Sequence, residues 1–379
     1  MVKRRSSILQ LHQGYNIKPI DVSDLAEQTL KAFPPEHYQT TTLFVTGQPE
    51  AGQKDSCAEQ TIYLDLPKKY LRGLRLRALY TLYKRLKDEH FDVVICNRYK
   101  PTSLMIWLHL FLKRPKCISV VHILSDYHPF MRRLLVRLVA HKWHFIAVSD
   151  SVRQGLFELN CGFSERNVTL IENAIDSEQL QSLLHSKAFA RTQLNLPASK
   201  VIVGTIGRLA ERKGYLDLIR GFAKIHQQFP EAIVVIIGEG KERHMLESEI
   251  AEQGLTDKVL LLGAIDGAAL YAKAFDIWIM PSHSEGLPLA LMEAMAAKLP
   301  LLTTAIPSMD YIVRPAGGVC FEVQDPQGLA AALSDYLRLT PAQRAELGEQ
   351  AFNYLQTRLS LQRYRAENLA LIERLLNDR

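Results

Sequence analysis

Short apolar, β-branched runs ended by a polar residue recur along this chain, and a helical pattern separates each from the next. "FDVVICN" (Phe91–Asn97), "CISVVH" (Cys117–His122) and "HFIAVSD" (His144–Asp150) have this form. Uninterrupted apolar strands belong in parallel sheets covered on both faces. Upstream, "SSILQLH" and "TTTLFVTG" predict two further strands, with a loop at Gly14 and a helix near Asp21–Ala32 between them. The rhythm restarts near residue 200. "KVIVGTIGR", "AIVVIIGEG", "KVLLLG", "DIWIMPS", "PLLTTA" and "GVCFEV" predict strands. "GYLDLIRGFAKIHQQF", "ERHMLESEIAEQG" and "GAALYAKA" predict helices between them. This alternation predicts an α/β chain of two tandem, doubly wound, Rossmann-like domains. The polar stretch from Asp176 to Pro197 lacks strand character and marks the boundary, giving a first domain over 1–178 and a second over 179–358. Ligands of such sheets sit beyond the carboxyl ends of the strands, so two domains facing each other would leave a cleft there.

A length of 379 residues suits two domains, and 47% apolar with 23% charged residues is ordinary for a globular protein. The greasiest stretch, "LMIWLHLFL", falls short of the roughly 18–20 residues of a membrane span. The start, "MVKRRSSILQLHQGY", lacks the apolar core of a secretory signal. Five scattered cysteines without a CxxC pair argue against disulfides and zinc and for a reducing cytoplasm. Charge is uneven: residues 1–170 hold 25 Lys and Arg against 15 Asp and Glu, and the remainder 21 against 25. The basic half includes "PKKYLRGLRLRALYTLYKRLK" (Pro67–Lys87), in which Arg72 and Arg75 are expected on one helical face. Such a segment suits an anionic membrane surface. No zinc-finger, RRM-like or helix-turn-helix pattern accompanies the charge, so nucleic acid is not an expected partner.

Chemistry concentrates at two strand exits of the second half. In "GRLAERKGYLDLI", Arg208 leaves a strand and Lys213 precedes a helix start, while Gly207 and Gly214 allow close backbone approach. Two cations beside free amides and a helix dipole suit a diphosphate. The segment is neither GxGxxG nor a Walker loop, which sets aside a nicotinamide dehydrogenase and a P-loop ATPase. In "HSEGLPLALMEAMA" (His283–Ala296), Gly286 permits a tight turn, Pro288 suits the first helical position, and the amides from Gly286 to Leu289 would face the same mouth. Glu285 lies before this helix and Glu293 within it, too far apart to act as a pair on one atom. No His or Asp set completes a metal shell, so no metal is expected. Two separate carboxylate clamps on polyol hydroxyls, one at each side of a phosphate, fit the spacing best.

These residues resemble a known family. Glu285 and Glu293 in E-G-x-P-x-x-x-x-E look like the E-x7-E motif of the family 4 retaining glycosyltransferases, which have the two-domain GT-B fold. "GRLAERKGYLDLI" and "VVIIGEGKERHMLE" resemble that family's segments, and "VTLIENAID" resembles its hinge strand, with Glu172 and Ala174 departing from the usual Pro and Gly. The resemblance covers roughly residues 144 to 335. It implies that Arg208 and Lys213 hold the donor diphosphate and stabilise the leaving group, with Gly207 beside them. Glu293 would bind ribose hydroxyls, Glu285 the donor sugar, and Gly286, Leu287 and Pro288 the sugar or phosphate. Glu239 would begin the base-binding region. His122 matches an acceptor-side histidine near the anomeric carbon. Gly14 stands alone, followed by Tyr15, where the family has a Gly-Gly loop. The last helix, within 359–379, would cross back onto the first domain.

The expected activity is metal-independent, retaining transfer of a sugar from a nucleotide-diphosphate donor, a UDP-sugar first, to a hydroxyl of a membrane-associated glycolipid or oligosaccharide. Lipopolysaccharide core is the leading acceptor, at the inner face of the cytoplasmic membrane. A polyprenyl-linked or other glycan is the alternative, as are a catalytically inactive binding module and an epimerase. The sugar nucleotide is a substrate, and no cofactor is expected.

Overall fold

The first of two compact units is built on a parallel sheet in which each strand edge pairs with a strand read later or earlier in the chain. A computed structural model describes residues 4–17, 24–109, 111–112 and 115–378. Contacts divide the chain into residues 1–173 with 361–379, and residues 174–360. In the first unit, β1 (Ser6–Gly14), α1 (Leu25–Leu30), β2 (Tyr38–Thr46), β3 (Gln60–Tyr63), α2 (Leu76–Leu86), β4 (Val93–Asn97), α3 (Tyr99–Leu108), β5 (Lys116–Val121), α4 (Phe130–Arg137), β6 (His144–Ala147), α5 (Asp150–Glu158) and β7 (Val168–Leu170) follow in order. Among the described residues the sheet has seven strands, ordered β3-β2-β1-β4-β5-β6-β7, and every pairing is parallel.

The second unit contains α6 (Ser177–Leu183), α7 (Lys187–Gln193), β8 (Val201–Ile206), α8 (Tyr215–Ala223), β9 (Ala232–Ile237), α9 (Arg243–Glu252), β10 (Val259–Gly263), β11 (Ile277–Met280), α10 (Leu289–Ala296), β12 (Leu301–Thr304), α11 (Pro307–Val313), β13 (Val319–Phe321), α12 (Pro326–Arg338) and α13 (Pro341–Arg358). Its six strands are ordered β10-β9-β8-β11-β12-β13, again parallel. β9 is buried at every residue, as a strand covered by helices on both faces must be. Val203, Val234, Ile236, Ile277 and Ile279 of the sheet pack with Leu218, Ile219 and Phe222 of α8 and Leu329 and Leu333 of α12.

Both sheets reverse direction once. The chain builds outward from β1 to β3, then returns to place β4 on the other side of β1; β8 to β10 and β11 repeat the manoeuvre. The crevice where strand order reverses is where open α/β sheets bind ligands. It lies beyond β1 and β4 in the first unit and beyond β8 and β11 in the second.

Several expectations need correction. The polar stretch after Asp176 is no linker. It forms α6 and α7, which belong to the second unit, and the chain changes units at Asn173/Ala174 and again at Ser360/Leu361 instead of near 178 and 358. Burial explains why: Arg191 is 4% exposed, pairs with Asp276 at 2.6 Å and donates to the carbonyls of Ala274 and Ala198. Arg72 and Arg75 precede α2 instead of sharing its face, because the 3-10 turn Lys68–Leu71 and left-handed Gly73 and Arg75 delay the helix. "GAALYAKA" is a 3-10 helix, Ala268–Ala274. The predicted helix near Asp21–Ala32 is described only from Asp24, which caps α1; residues 18–23 lie outside the described set. β3 went unforeseen, since its "QTIY" has one buried residue.

The last helix, α14 (Leu361–Asn377), packs within the first unit. The hydroxyls of Tyr364 and Thr29 lie 2.7 Å apart in its buried face, and Arg374 donates to Thr169. No helix among the described residues is long and apolar enough to cross a membrane.

Candidate active site

In the second unit, the loop after β8 is locked by glycines pressed against backbone. Gly214 has φ +66° and caps the start of α8; a Cβ there would stand 1.9 Å from the Pro281 carbonyl oxygen. A Cβ on Gly238 or Gly240 would meet the carbonyl oxygen of Gly207 or Leu209 at 1.9 and 2.0 Å. Gly207 donates to Ile237 O and Leu209 to Glu239 O, so the loops after β8 and β9 form one interlocked ledge. A Cβ on Gly207 would fall 2.6 Å from the Tyr215 hydroxyl and 3.7 Å from Lys213 Nζ. Side-chain room at this strand exit is therefore reserved for Lys213 and Tyr215. Burial, with the Glu285 charge nearby, pushes the Tyr215 phenol well above its ordinary pKa, so it stays a neutral hydrogen-bonding group.

The loop after β11 meets this ledge. Lys213 Nζ lies 2.7 Å from Glu285 Oε1, and both side chains are nearly buried, 11% and 8% exposed. Arg212 Nη1 reaches Glu285 Oε2 at 3.1 Å and Ser284 O at 3.2 Å. His283 takes part as well: its backbone amide donates to Arg212 O, and its ring Nε2 lies 2.6 Å from Asp217 Oδ2. Two loops from strands flanking the switch point are thus joined by one carboxylate held between two cations. A nearly buried ion pair of this kind survives desolvation only with good geometry and several partners.

Gly286, Leu287 and Pro288 continue this loop and are buried. Pro288 is the N-cap of α10, with ψ 125°, and Leu289 is the first helical residue. The expected position of Pro288 inside the first turn is corrected by one residue, since its extended ψ precedes the helix. Glu293 lies one turn into α10 and is 9% exposed. Arg208 is exposed and has no hydrogen-bond partner among the described residues. It lines a hollow of about 520 Å³ with Glu239, Gly240 and Lys241. Glu239 is gripped by Arg243 Nε at 2.8 and 2.9 Å, and that contact holds its carboxyl below the usual range. A second hollow of about 630 Å³, lined by Gly214, Asp217, Arg220 and His283 among others, shares Ala210, Glu211 and Glu242 with the first.

The remaining two nominated residues belong to the first unit. His122 follows β5 directly. Burial draws its imidazole down to about 4, helped by the Arg98 charge. His12, near the end of β1, goes to about 3 by burial, then by the charges of His122 and Arg98. The two rings and Arg98 therefore share the strand ends beyond β1, β4 and β5. Gly14 is a correction. It is the last residue of β1, not a loop residue; a Cβ there would meet Thr46 Oγ1 at 2.6 Å. Its smallness lets β1 and β2 close against Thr46.

Lys213, Glu285 and Gly207 are brought together, Arg208 and Glu239 share a wall, and Gly286–Pro288 with Glu293 form one loop and helix. Arg212, Tyr215, Asp217 and His283 were not anticipated. The adjacent cations in "ERKG" signalled Arg212, whereas His12 and Arg98 were readable only as strand-end residues.

The family models agree with this geometry. The model for glycosyltransferase family 4 matches residues 28–179, and that for glycosyl transferases group 1 matches residues 186–354. The chain is 25% identical over 323 residues to the lipopolysaccharide core biosynthesis mannosyltransferase LpcC of Rhizobium leguminosarum bv. viciae, a match covering 83% of this chain and 86% of that protein. A match at 26% identity to an uncharacterized glycosyltransferase of Methanocaldococcus jannaschii spans 44% of this chain but only 42% of that protein. The crystal structure of Anabaena HepE in complex with UDP and glucose superposes with a TM-score of 0.80 at 16% identity, covering 98% of this chain and all of that one. Two Rossmann-like domains in tandem, each matched by its own model, define a GT-B glycosyltransferase. The chain belongs to glycosyltransferase family 4.

Proposed function

We propose that this protein transfers a sugar from a nucleotide-diphosphate donor, a UDP-sugar first, to a hydroxyl of a membrane-associated acceptor, with lipopolysaccharide core oligosaccharide as the leading acceptor. The observation that carries this reading is the contact between Lys213 and Glu285 at the switch point of the second sheet. Breaking the anomeric bond builds negative charge on the departing diphosphate and positive character on the sugar ring. Lys213 is placed to neutralise the first, together with Arg208, whose guanidinium has no partner among the described residues. Fixed charges of this kind act without reorganising and are the expected main catalytic term. Glu285, released from Lys213 by the incoming diphosphate, is then free to accept hydrogen bonds from sugar hydroxyls while Arg212 keeps it oriented. Glu293, on α10, would take the ribose. These cations supply the charge that a metal would otherwise bring, so the reaction is proposed to run without one. Retention of the anomeric configuration follows the family resemblance.

UDP is favoured because HepE, similar in fold, binds it; the core acceptor is favoured because LpcC acts in core biosynthesis. The first unit supports a peripheral place at the inner face of the membrane. Leu74, Tyr80, Phe130, Met131 and Leu138 are each more than 60% exposed on a strongly basic half.

The test is a panel of UDP-, GDP- and ADP-sugars read first as a melting shift and then as transfer to core oligosaccharide, polyprenyl-linked glycan and a soluble glycoside. A UDP-sugar is expected to raise the melting point and to label the core acceptor. If no sugar nucleotide shifts melting or turns over, the transferase reading fails and a binding module takes its place.

A further inference from the structure

The first unit holds a second concentration of positive charge that sugar transfer does not use. Arg75 precedes α2 as its N-cap in the left-handed region, φ 57°, a conformation that non-glycine residues rarely adopt. Its Nη1 donates to Ser103 on α3. Among the described residues no carboxylate pairs with it and nothing accepts from its buried Nε. Arg132 of α4 lies nearby, its guanidinium carbon 4.6 Å from the centroid of the buried Tyr99 ring. Arg132 donates to Asp126 O at 2.8 Å and faces Asp126 Oδ1 at 3.6 Å. The charges of both arginines act on the Tyr99 phenol, opposing the upward push of its burial, and burial, with a smaller contribution from Arg132, lowers the proton affinity of Arg75. Arg75 and Arg132 thus lie against residues one turn apart on α3, Ser103 and Tyr99, and Asp126 faces Arg132 at 3.6 Å. Among the described residues Arg75 has no carboxylate of its own.

The surroundings say where that anion would come from. The residues beside each arginine are large, apolar and exposed: Leu74 at 82% and Leu76 at 67%, Phe130 at 68% and Met131 at 69%. Exposed apolar side chains gathered around a cation pair are unusual on a protein meant to face water alone. They suit the headgroup boundary of a bilayer, where apolar groups enter the acyl layer and cations meet phosphates.

We propose that Arg75 and Arg132, set against Tyr99, form a site for the phosphate of an anionic membrane lipid, with Leu74, Leu76, Phe130 and Met131 entering the outer acyl layer around it. The site rests on the membrane-associated reading above and adds to it a specific ligand group. Two guanidinium forks prefer a phosphomonoester, which offers more acceptor oxygen and charge than a diester.

The test is flotation of the full chain with phosphatidylcholine vesicles carrying phosphatidic acid or, at matched surface charge, phosphatidylserine. The wild type is expected to favour phosphatidic acid by about tenfold, the worth of one charge-assisted hydrogen bond. Arg75→Gln with Arg132→Gln should bind both vesicles alike. Arg72→Gln with Lys84→Gln, the same charge removed elsewhere, should weaken both and keep the preference. Arg132→Lys, which keeps charge but loses the fork, should reduce the preference and guards against misfolding of the double variant. A wild type without preference, a double variant that retains it, or absence of binding to every vesicle overturns the proposal. Inorganic phosphate binding the wild type as tightly as the vesicles do would show a soluble ligand and overturn the lipid source. Donor turnover measured on the same preparations separates the two readings: lost preference with turnover intact strikes this site alone, and absent turnover in the wild type strikes the transferase reading alone.

Discussion

The two sheets reverse strand order in the same way, yet what stands at the two switch points differs in kind. Beyond β8 and β11, glycines interlock the loops, and Glu285 is shared between Lys213 and Arg212. Beyond β1 and β4, the groups are two imidazoles drawn to low pKa and an exposed Arg98 held at φ 74°. The second unit pairs most of the charges at its switch point, Arg208 excepted, and the first leaves cations and apolar side chains exposed. On the proposed reading, the half that would hold a small, highly charged donor is built rigid, and the half that would meet a large acceptor carries its chemistry on its surface.

The strongest way to break this comparison is to attack what makes the second unit self-contained. Arg191→Ala removes a buried guanidinium that holds Asp276 and the carbonyls of Ala274, Ala198 and Lys200, leaving Asp276 only the exposed Lys187 as a cation, so a loss of about 3 kcal/mol in chemical denaturation is expected. A change below 1 kcal/mol, on the scale of an exposed pair, would show that the second unit does not depend on this latch. Next, Lys213→Ala should lower kcat/KM by roughly 10²–10³ while circular dichroism stays unchanged. Activity near wild type would remove Lys213 from the phosphate.

Acid should separate the two units. His12, His122 and His144 of the first unit have folded pKa values of about 3, about 4 and about 4, all below the unfolded value of about 6.5. The unfolded chain therefore takes up protons first. Stability present above about pH 6.5 is expected to fall as pH drops toward 4, each histidine contributing at most about 1.4 kcal/mol per pH unit. His144→Gln should make that slope shallower by one proton; an unchanged slope in urea melts across this range contradicts it. The smallest effect compares two left-handed glycines. Gly73→Ala has nothing within 4 Å and should show the backbone cost alone, about 1–2 kcal/mol. Gly214→Ala adds a collision with Pro281 O and should exceed it in melting and weaken donor binding. Equal losses would mean the ledge yields easily.

Much of this was readable before any coordinates. Buried strands such as "AIVVII" announce themselves because both faces are apolar, and the glycines and cations of "GRLAERKG" carry their chemistry in their spacing. What stayed hidden depended on partners distant in sequence. Arg191 looks like a linker residue until Asp276, 85 positions away, is seen to bury it. Gly14 reads as a loop residue until Thr46, 32 positions away, is seen to pack beside the end of β1. The helical reading of Arg72 and Arg75 failed because a left-handed arginine has no signature in periodicity. Which cation Glu285 would hold could not be read from either loop alone.

That last contact bears on selectivity in a crowded cell. Free orthophosphate and other stray anions outnumber sugar nucleotides, and an open lysine pocket would fill with them. While Glu285 sits on Lys213, the pocket already has its counter-ion, and on the proposed reading a bare anion must displace a carboxylate that would keep only Arg212. A sugar nucleotide would bring, besides its diphosphate, hydroxyls that donate to the displaced side chain, so the contact would favour a ligand presenting both groups at once.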